Sequence, residues 1–285
     1  MRAILAIALG LATTIAAQAQ DDRGWTFAGS ISGSSNASGL VMKTEPVLGY
    51  VFNKHYSTYG GVPLYSVNFS TNTSASAGGS MTGLGNAFIG FRAGLDRDLL
   101  NYSSTVEIRV PTGDQARGFS TGRVTADWTN RFSRRFSSFI PFATAGIANT
   151  VSDTTFFVRP FSSLGFVGHF EGGALYDVSP IIRLGGSAYA IRGSGQQRII
   201  SRVIESRNIT SRGSSIGRGN GNGKNRVFDT QMETVSQADI INDGGFESWI
   251  GISPRREMNF YGGYSRSVTY EFNTLFFGIA FRVGK

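Results

Sequence analysis

The stretch YSSTVEIRV, residues 102–110, alternates between apolar and polar side chains along its length. One face carries Tyr102, Val106, Ile108 and Val110, and the other carries Ser103, Thr105, Glu107 and Arg109. A period of two is typical of a β-strand that has one apolar face and one polar face. The same alternation occurs in residues 86–95, 124–132 and 275–283.

Extended to the whole chain, this pattern predicts about twelve strands. They lie near residues 25–32, 41–53, 57–69, 84–95, 100–110, 123–132, 138–150, 160–177, 180–191, 245–252, 257–265 and 272–283. No stretch after the N-terminal segment reaches the 18 or so apolar residues that a membrane-spanning helix needs. The expected fold class is therefore all-β.

The connections between these strands alternate between short and long. Short turns fall at residues 53–56, 96–98, 133–136, 177–180 and 253–256, and longer connections at 71–82, 111–122, 152–159, 193–243 and 265–270. Short turns at one rim and long loops at the other are typical of an outer-membrane barrel, whose closed sheet pairs every backbone polar group within the bilayer. A soluble β protein is the alternative, but it does not account for the asymmetry. We therefore predict a transmembrane antiparallel β-barrel.

The first residues have the features of an export signal. Met1-Arg2 supplies a positive charge, residues 3–17 are largely apolar, and Ala17-Gln18-Ala19 offers a small-residue cleavage site. We expect a signal peptide at 1–19 and a barrel at 20–285 in the outer membrane of a Gram-negative-type bacterium.

The composition excludes several classes of protein. The chain has no cysteine, so disulfide scaffolds, cysteine-zinc sites and thiol enzymes are excluded. It also has 38 glycines and a net charge of +8.

Three short glycine-containing motifs resemble those of a known family. They are Val110-Pro111-Thr112-Gly113-Asp114, Gly83-Leu84-Gly85-Asn86 and Gly61-Val62-Pro63-Leu64. Together they resemble the MetA-pathway-of-phenol-degradation family of outer-membrane transporters, from about residue 40 onward. The resemblance implies a barrel that passes small molecules, including hydrophobic or aromatic ones. On physical grounds, we expect Pro111, Thr112, Gly113 and Asp114 to form a turn that ends a strand at the outer rim, and contact with a ligand is the alternative role.

The inward face of the predicted barrel carries charges of both signs. The candidate lumen-lining residues are Lys43, Glu45, Arg92, Glu107, Arg109, Asp127, Arg131, His169, Glu171, Arg183, Glu247 and Arg282. Such a set can line a passage or fill a narrow barrel. His169 and Glu171, with Ser163 or Ser187, are the one conceivable hydrolase constellation, but no lipase motif accompanies them. We predict no enzyme activity, no catalytic residue, no metal site and no cofactor.

Residues 193–243 form the longest connection, predicted to be extracellular and flexible. It is basic, with a glycine- and serine-rich centre, and residues 198–207 could form a short amphipathic helix. Lipopolysaccharide is a candidate partner for its arginines, whereas nucleic acid is not expected. The alternative is that the connection folds inward and constricts the pore. The favoured function is passive passage of small solutes across the outer membrane. The alternative is a structural or adhesion barrel that binds surface ligands through its outer loops.

Overall fold

The computed structural model describes residues 23–36, 39–69, 80–97, 99–151, 159, 161–201 and 233–283. These residues form a single antiparallel sheet. Its strands are β1 (Gly24–Asn36), β2 (Gly39–Val51), β3 (Tyr56–Gly61), β4 (Leu64–Phe69), β5 (Ser80–Leu84), β6 (Phe88–Leu95), β7 (Asn101–Arg109), β8 (Thr125–Ser133), β9 (Phe139–Ala148), β10 (Phe161–Asp177), β11 (Ile182–Ser201), β12 (Glu233–Gln237), β13 (Asp243–Arg255), β14 (Met258–Ser267) and β15 (Asn273–Val283).

The sheet closes on itself. Strand β1 pairs with β2 on one side and with β15 on the other, where the register runs from Trp25 opposite Val283 to Ser35 opposite Asn273. Strands β3 and β4 together lie against β2, and β5 and β6 lie against β4 and β3, so each of these pairs makes one interrupted barrel strand. The described part of the wall is thus a closed barrel of twelve antiparallel strands, which confirms the predicted fold class.

The two faces of the wall follow the alternation in the sequence. On β7, Val106 and Ile108 are exposed, whereas Glu107 and Arg109 are only 3% and 6% exposed. The same holds on β15, where Leu275 and Phe277 are exposed and Phe276 is buried. Large apolar side chains therefore cover the outside of the barrel, as a lipid-facing surface requires.

Aromatic pairs gather on the outer face near the short-turn rim. Trp25 contacts Tyr50 edge to face with ring centroids 5.1 Å apart, and Tyr102 contacts Phe132 at the same distance. Aromatic girdles of this kind are typical of the membrane interface. None of the helices within the described ranges is long and apolar enough to cross a bilayer.

Aromatic rings on the inner face lie across glycines of the neighbouring strand. A Cβ atom added to Gly90 would come within 2.1 Å of the Tyr59 ring, and one added to Gly185 would come equally close to the Trp249 ring. The register puts each of these aromatic residues directly opposite its glycine. Because glycine has no side chain, the rings can lie flat against the wall.

The long connection at 193–243 is shorter than the sequence predicts. Strand β11 continues to Ser201, pairing with β10 on one edge and with β12 on the other, and a 3₁₀ helix over Ala238–Ile241 leads into β13. The predicted helix at 198–207 is wrong for residues 198–201, which are strand. Continued pairing on both edges of β11 satisfies its backbone and favours the extended form. Residues 202–232 lie outside the described residues.

Candidate functional site in the barrel interior

The structure puts the predicted lumen-lining side chains at inward-facing positions of the wall. The buried ones are Lys43, Glu45, Glu107, Arg109, Asp127 and Glu247. The partly buried ones are Arg92, Arg131, His169, Glu171, Arg183 and Arg282. The alternation placed these residues on the inner face, but it could not say which of them would meet. That depends on the register between strands that are distant in the sequence.

One charged group is centred on Glu107 of β7. Arg109 donates from Nε to Glu107 Oε1 at 2.9 Å, and the Tyr59 hydroxyl donates to Glu107 Oε2 at 3.0 Å. The Arg109 guanidinium also lies 4.8 Å from the centre of the Phe88 ring. Lys43 and Arg109 supply the positive charges that act on the buried Glu45. Opposite charges therefore compensate one another on this side of the barrel.

A second group joins β8 to β10. The His169 Nε2 atom lies 2.9 Å from Asp127 Oδ2, and Thr129 donates its hydroxyl to the other oxygen of the same carboxylate. The His169 ring crosses Gly146 of β9, where a Cβ atom would approach it to 2.4 Å. The sequence shows each of these residues on an inward face, but not that they meet.

The hydrolase constellation considered from the sequence does not form. Ser163 accepts a hydrogen bond from the Val151 amide at 3.1 Å, and Ser187 donates to Glu247 at 3.4 Å. In the described part of the chain, neither His55 nor His169 hydrogen-bonds to a serine. The described side chains therefore contain no Ser-His-acid arrangement for acyl transfer.

A third group contains two acids, Glu171 and Glu247, that form no salt bridge with the described residues. The Ser187 hydroxyl lies between Glu171 on β10 and Glu247 on β13, and it interacts with both. Arg131 is the positive charge that acts most on Glu171, and its guanidinium lies 3.8 Å above the centre of the Phe142 ring. Over the described ranges, no cluster of three or more His, Cys, Asp or Glu side chains could hold a metal ion.

At the short-turn rim, Asp177 at the end of β10 joins two arginines. It accepts hydrogen bonds from Arg183 of β11 and, at 2.7 Å, from Arg135 of the β8–β9 turn. Arg183 is thus part of a rim ion pair, and Arg135 was not among the predicted site residues. Its position in a turn gave no alternation that could have indicated it.

The outer end of the barrel holds an ion pair that the sequence did not reveal. Arg159 Nη2 lies 2.9 Å from Asp243 Oδ2, and both side chains are fully buried. Asp243 also accepts from the hydroxyls of Tyr189, at 3.2 Å, and Ser267, at 2.6 Å. Asp243 shares the inner face of β13 with Gly245 and Glu247, and this alternation is the sequence pattern from which its position could have been predicted. Arg159 lay in a predicted loop, where no periodicity applies.

An apolar cluster packs around this ion pair. It brings together β10, β11, the 3₁₀ helix over Ala238–Ile241 and the β14–β15 connection. Its members are Val151, Phe161, Val167, Tyr189, Ile191, Ile199, Ile240, Ile241, Tyr270 and Phe272. The Tyr270 hydroxyl donates to the Ile240 carbonyl, and burial raises the pKa of that hydroxyl well above its usual range. One side of the outer rim is therefore densely packed.

The three motifs behind the family resemblance meet in space. The wall is interrupted at residues 62–63 and again at 85–87, and there the Gly85 amide donates to the Pro63 carbonyl at 2.7 Å. The Thr112 hydroxyl accepts from the Ala87 amide at 2.8 Å and donates to the Gly85 carbonyl at 3.1 Å. A threonine side chain thus makes the hydrogen bonds that the interrupted ladder lacks.

The remaining residues of the Pro111–Asp114 turn fit the expected turn chemistry. Asp114 caps a one-turn 3₁₀ helix (Gln115–Arg117) by accepting from the Arg117 amide at 3.3 Å, and Pro111 follows the end of β7. The loop then folds back, so that Phe119 is 2% exposed and stacks on Tyr65 of β4 at 5.9 Å. We infer a structural role for this turn.

The comparisons with known proteins extend the fold assignment. No family model matches the sequence, and no curated protein matches it either. Among solved structures, the COG4313 outer membrane channel from Pseudomonas putida F1 is similar over 93% of this chain and 97% of its own, with a TM-score of 0.61 and 11% identity. The fold is an outer-membrane β-barrel.

Two further solved structures resemble the chain more distantly. A TodX monoaromatic hydrocarbon channel mutant is 7% identical, over 93% of this chain and 91% of its own, with a TM-score of 0.45. OmpF of Salmonella typhi in complex with daunomycin is 9% identical, over 92% of this chain and 97% of its own, with a TM-score of 0.37.

Proposed function

We propose that the chain is an outer-membrane channel for the passive passage of small molecules. The observation that carries the proposal is the closed barrel with an apolar outer face and an inner face lined by charges and hydroxyls. A polar interior of this kind is the usual lining of an aqueous path through a barrel of this class. The structural similarity to an outer membrane channel supports the same function.

The proposed solutes include molecules with a hydrophobic or aromatic part. Beside the charged groups, an apolar cluster lies on the inner face toward the short-turn rim, formed by Ile140, Phe142, Leu175, Trp249, Tyr261 and Phe276. Membership of the phenol-degradation transporter family is part of this proposal and rests on the three motifs. The proposal also includes cleavage near Ala19, the site role of the predicted lumen residues and contact of residues 193–243 with lipopolysaccharide.

A second candidate is a structural or ligand-binding barrel without a continuous passage. It is favoured by the packing at the outer end, where Arg159, Ile241 and Phe161 are completely buried. In such a barrel the mixed charges fill the interior, and the outer loops carry the function. The two candidates differ in one measurable property, which is ionic current through the barrel.

The decisive experiment is single-channel recording from the refolded mature chain in planar bilayers. Its partner variant lacks residues 202–232, and an added Asn-Gly joins Ser201 to Glu233. Ile200 pairs directly with Glu233, so Ser201-Asn-Gly forms a three-residue hairpin loop between β11 and β12, and Asp243 keeps its position. Deletion of the wider range 193–243 would instead remove the end of β11, all of β12 and the first residue of β13.

We expect steady conductance from the full chain, and a larger conductance from the deletion variant if residues 202–232 narrow the path. Heat-modifiable migration on a gel serves as the control that both proteins are folded barrels. The absence of current from both folded proteins would contradict the channel and favour the closed barrel.

A further inference from the structure

A row of polar side chains crosses six neighbouring strands on the inner face of the barrel. We call it the polar stripe, and it consists of Arg131, Thr144, Glu171, Ser187, Glu247 and Ser265. Thr144 lies directly opposite both Arg131 and Glu171, and Glu247 lies directly opposite both Ser187 and Ser265. The stripe therefore has a cationic end on β8 and an acidic part on β10 and β13.

Four members of the stripe have a buried polar atom with no hydrogen-bond partner among the described residues. These atoms are Arg131 Nη1, Thr144 Oγ1, Glu171 Oε1 and Ser265 Oγ. Ser265 is fully buried and Thr144 is 7% exposed, so neither side chain is freely hydrated. Buried polar groups in proteins are nearly always satisfied, so a row of four such atoms indicates missing partners.

The acidic part of the stripe favours a positive group. Glu171 and Glu247 repel each other, and within the described ranges Ser187 is the side chain that hydrogen-bonds to both. An ammonium has three donors, which match carboxylate and hydroxyl oxygens in this arrangement. A divalent metal lacks the ligands it requires, since no three acidic or histidine side chains of the described residues converge here.

The cationic end of the stripe favours a negative group on the same molecule. Arg131 is stacked on Phe142 and has an unsatisfied nitrogen, and it acts on Glu171 without a salt bridge between the two. The two residues are on strands β8 and β10, so their Cα atoms are about 10 Å apart in the wall. A purely cationic solute would be repelled by Arg131, and a purely anionic one by the two glutamates.

We propose that the polar stripe binds a small zwitterionic solute, with its ammonium at Glu171 and Glu247 and its carboxylate at Arg131. The apolar part of the solute lies against Phe142 and Trp249, which border the stripe on the side of the short-turn rim. This assignment deepens the proposed function, on which it rests, because it names the solute class that the channel interior recognises. Amino acids with an apolar side chain have this chemistry.

The test is a fluorescence titration of the refolded mature chain in detergent micelles. The sequence has three tryptophans, and the Trp25→Phe/Trp128→Phe background leaves Trp249, beside the stripe, as the only one. Three probes share one aromatic body: L-phenylalanine has both charges, phenethylammonium only the positive one, and 3-phenylpropionate only the negative one. We expect saturable binding of L-phenylalanine, with an affinity at least about tenfold above that of either singly charged probe.

Substitutions within the stripe should remove this preference. Glu247→Gln and Arg131→Gln are each expected to weaken L-phenylalanine binding by about tenfold or more, since each removes one charge contact. The matched control is Glu257→Gln, which neutralises an exposed glutamate in the β13–β14 turn and should leave binding unchanged. If Arg131→Gln does not fold, Thr144→Val tests the stripe with a side chain of the same shape.

Three results would overturn the proposal. They are the absence of a saturable response in the folded background protein, equal binding of phenethylammonium and L-phenylalanine, and undiminished binding in the Glu247→Gln variant. Failure of the channel function is detected separately, because it appears as missing current in planar bilayers. Selective L-phenylalanine binding without current would contradict the channel function and support a barrel that binds a zwitterion without conducting ions.

Discussion

Two segments at the long-loop rim are held in place in different ways. The β7–β8 loop is fixed by contacts of its own turn residues, with Thr112 bonded to the interrupted strand and Asp114 capping the next turn. The segment around β12 is fixed by a buried ion pair between Arg159, which precedes β10, and Asp243, the first residue of β13. Both bury an apolar side chain, Phe119 in one and Ile241 in the other.

The difference is one of where the stabilising partners lie in the sequence. The cap that Asp114 gives to the Arg117 amide joins residues three positions apart, so it can be recognised from consecutive residues. The bonds of Thr112 to Ala87 and Gly85, 25 and 27 positions away, cannot be recognised in that way. An ion pair between residues 84 positions apart is visible only once the strands are in register. Removing single groups from each segment should separate the two kinds of anchoring.

The largest effect is expected from Arg159→Met. This substitution leaves the buried Asp243 carboxylate without its cation, and such a loss costs about 3 kcal/mol of unfolding free energy. Urea unfolding of the barrel in detergent, followed by tryptophan fluorescence, measures the change.

The double variant Arg159→Met/Asp243→Leu is the control for this prediction. It removes both charges, so it should recover part of the lost stability even though the hydroxyls of Tyr189 and Ser267 lose their acceptor. A double variant less stable than Arg159→Met would show that hydrogen bonds, and not charge compensation, hold the segment.

A smaller effect is expected from Gly113→Ala in the β7–β8 loop. The new Cβ atom would lie 2.6 Å from the Leu84 carbonyl oxygen and 2.8 Å from that of Phe119, so backbone has to move at a cost of about 1–3 kcal/mol. Gly29→Ala, where nothing lies within 4 Å of the added atom, is the matched control in the same unfolding assay. Equal stability of the two variants would mean that the loop is loosely held.

The smallest effect is expected from Asp114→Ala. It removes the cap of the 3₁₀ turn, but the residue is half exposed, so a loss of about 0.5 kcal/mol is expected. Limited proteolysis at Arg117, compared between this variant and the unchanged protein, detects the looser turn. If cleavage is unchanged, Thr112 and Phe119 hold the loop in place, and the Asp114 cap does not.

The sequence predicted the barrel strands because lipid and lumen impose opposite demands on successive side chains. Each of the twelve predicted segments corresponds to one barrel strand, including the weak alternation at residues 25–32. The prediction missed the interruptions at Val62-Pro63 and at residues 85–87, and it missed β5 before Leu84. Side-chain alternation reports on the face of a strand and not on continuity of its hydrogen bonds, so these breaks left no trace in it.

The sequence predicted which side chains face the interior, but it did not predict which of them contact one another. Glu107 and Arg109 are two residues apart on one strand, so their ion pair follows from the alternation. The approach of His169 to Asp127 joins two strands that are separated by β9, and the proximity of Glu171 to Glu247 spans β11. His169 reaches Asp127 across Gly146 of β9, whereas Ser187 of β11 lies between Glu171 and Glu247, so both contacts depend on the stagger of three strands.

The seam between β1 and β15 has a consequence for how the molecule forms. It pairs eleven positions of residues 25–35 with residues 273–283, so its contacts are the most distant in the chain. Loop closure over such a separation carries a large entropic cost, and topologies dominated by distant pairings fold slowly. Until both segments have met, each presents an unpaired strand edge, and each could pair with another chain. Until the barrel closes, these two edges can therefore pair with another copy of the chain, so closure is the folding step at which the chain most needs to be kept apart from other copies.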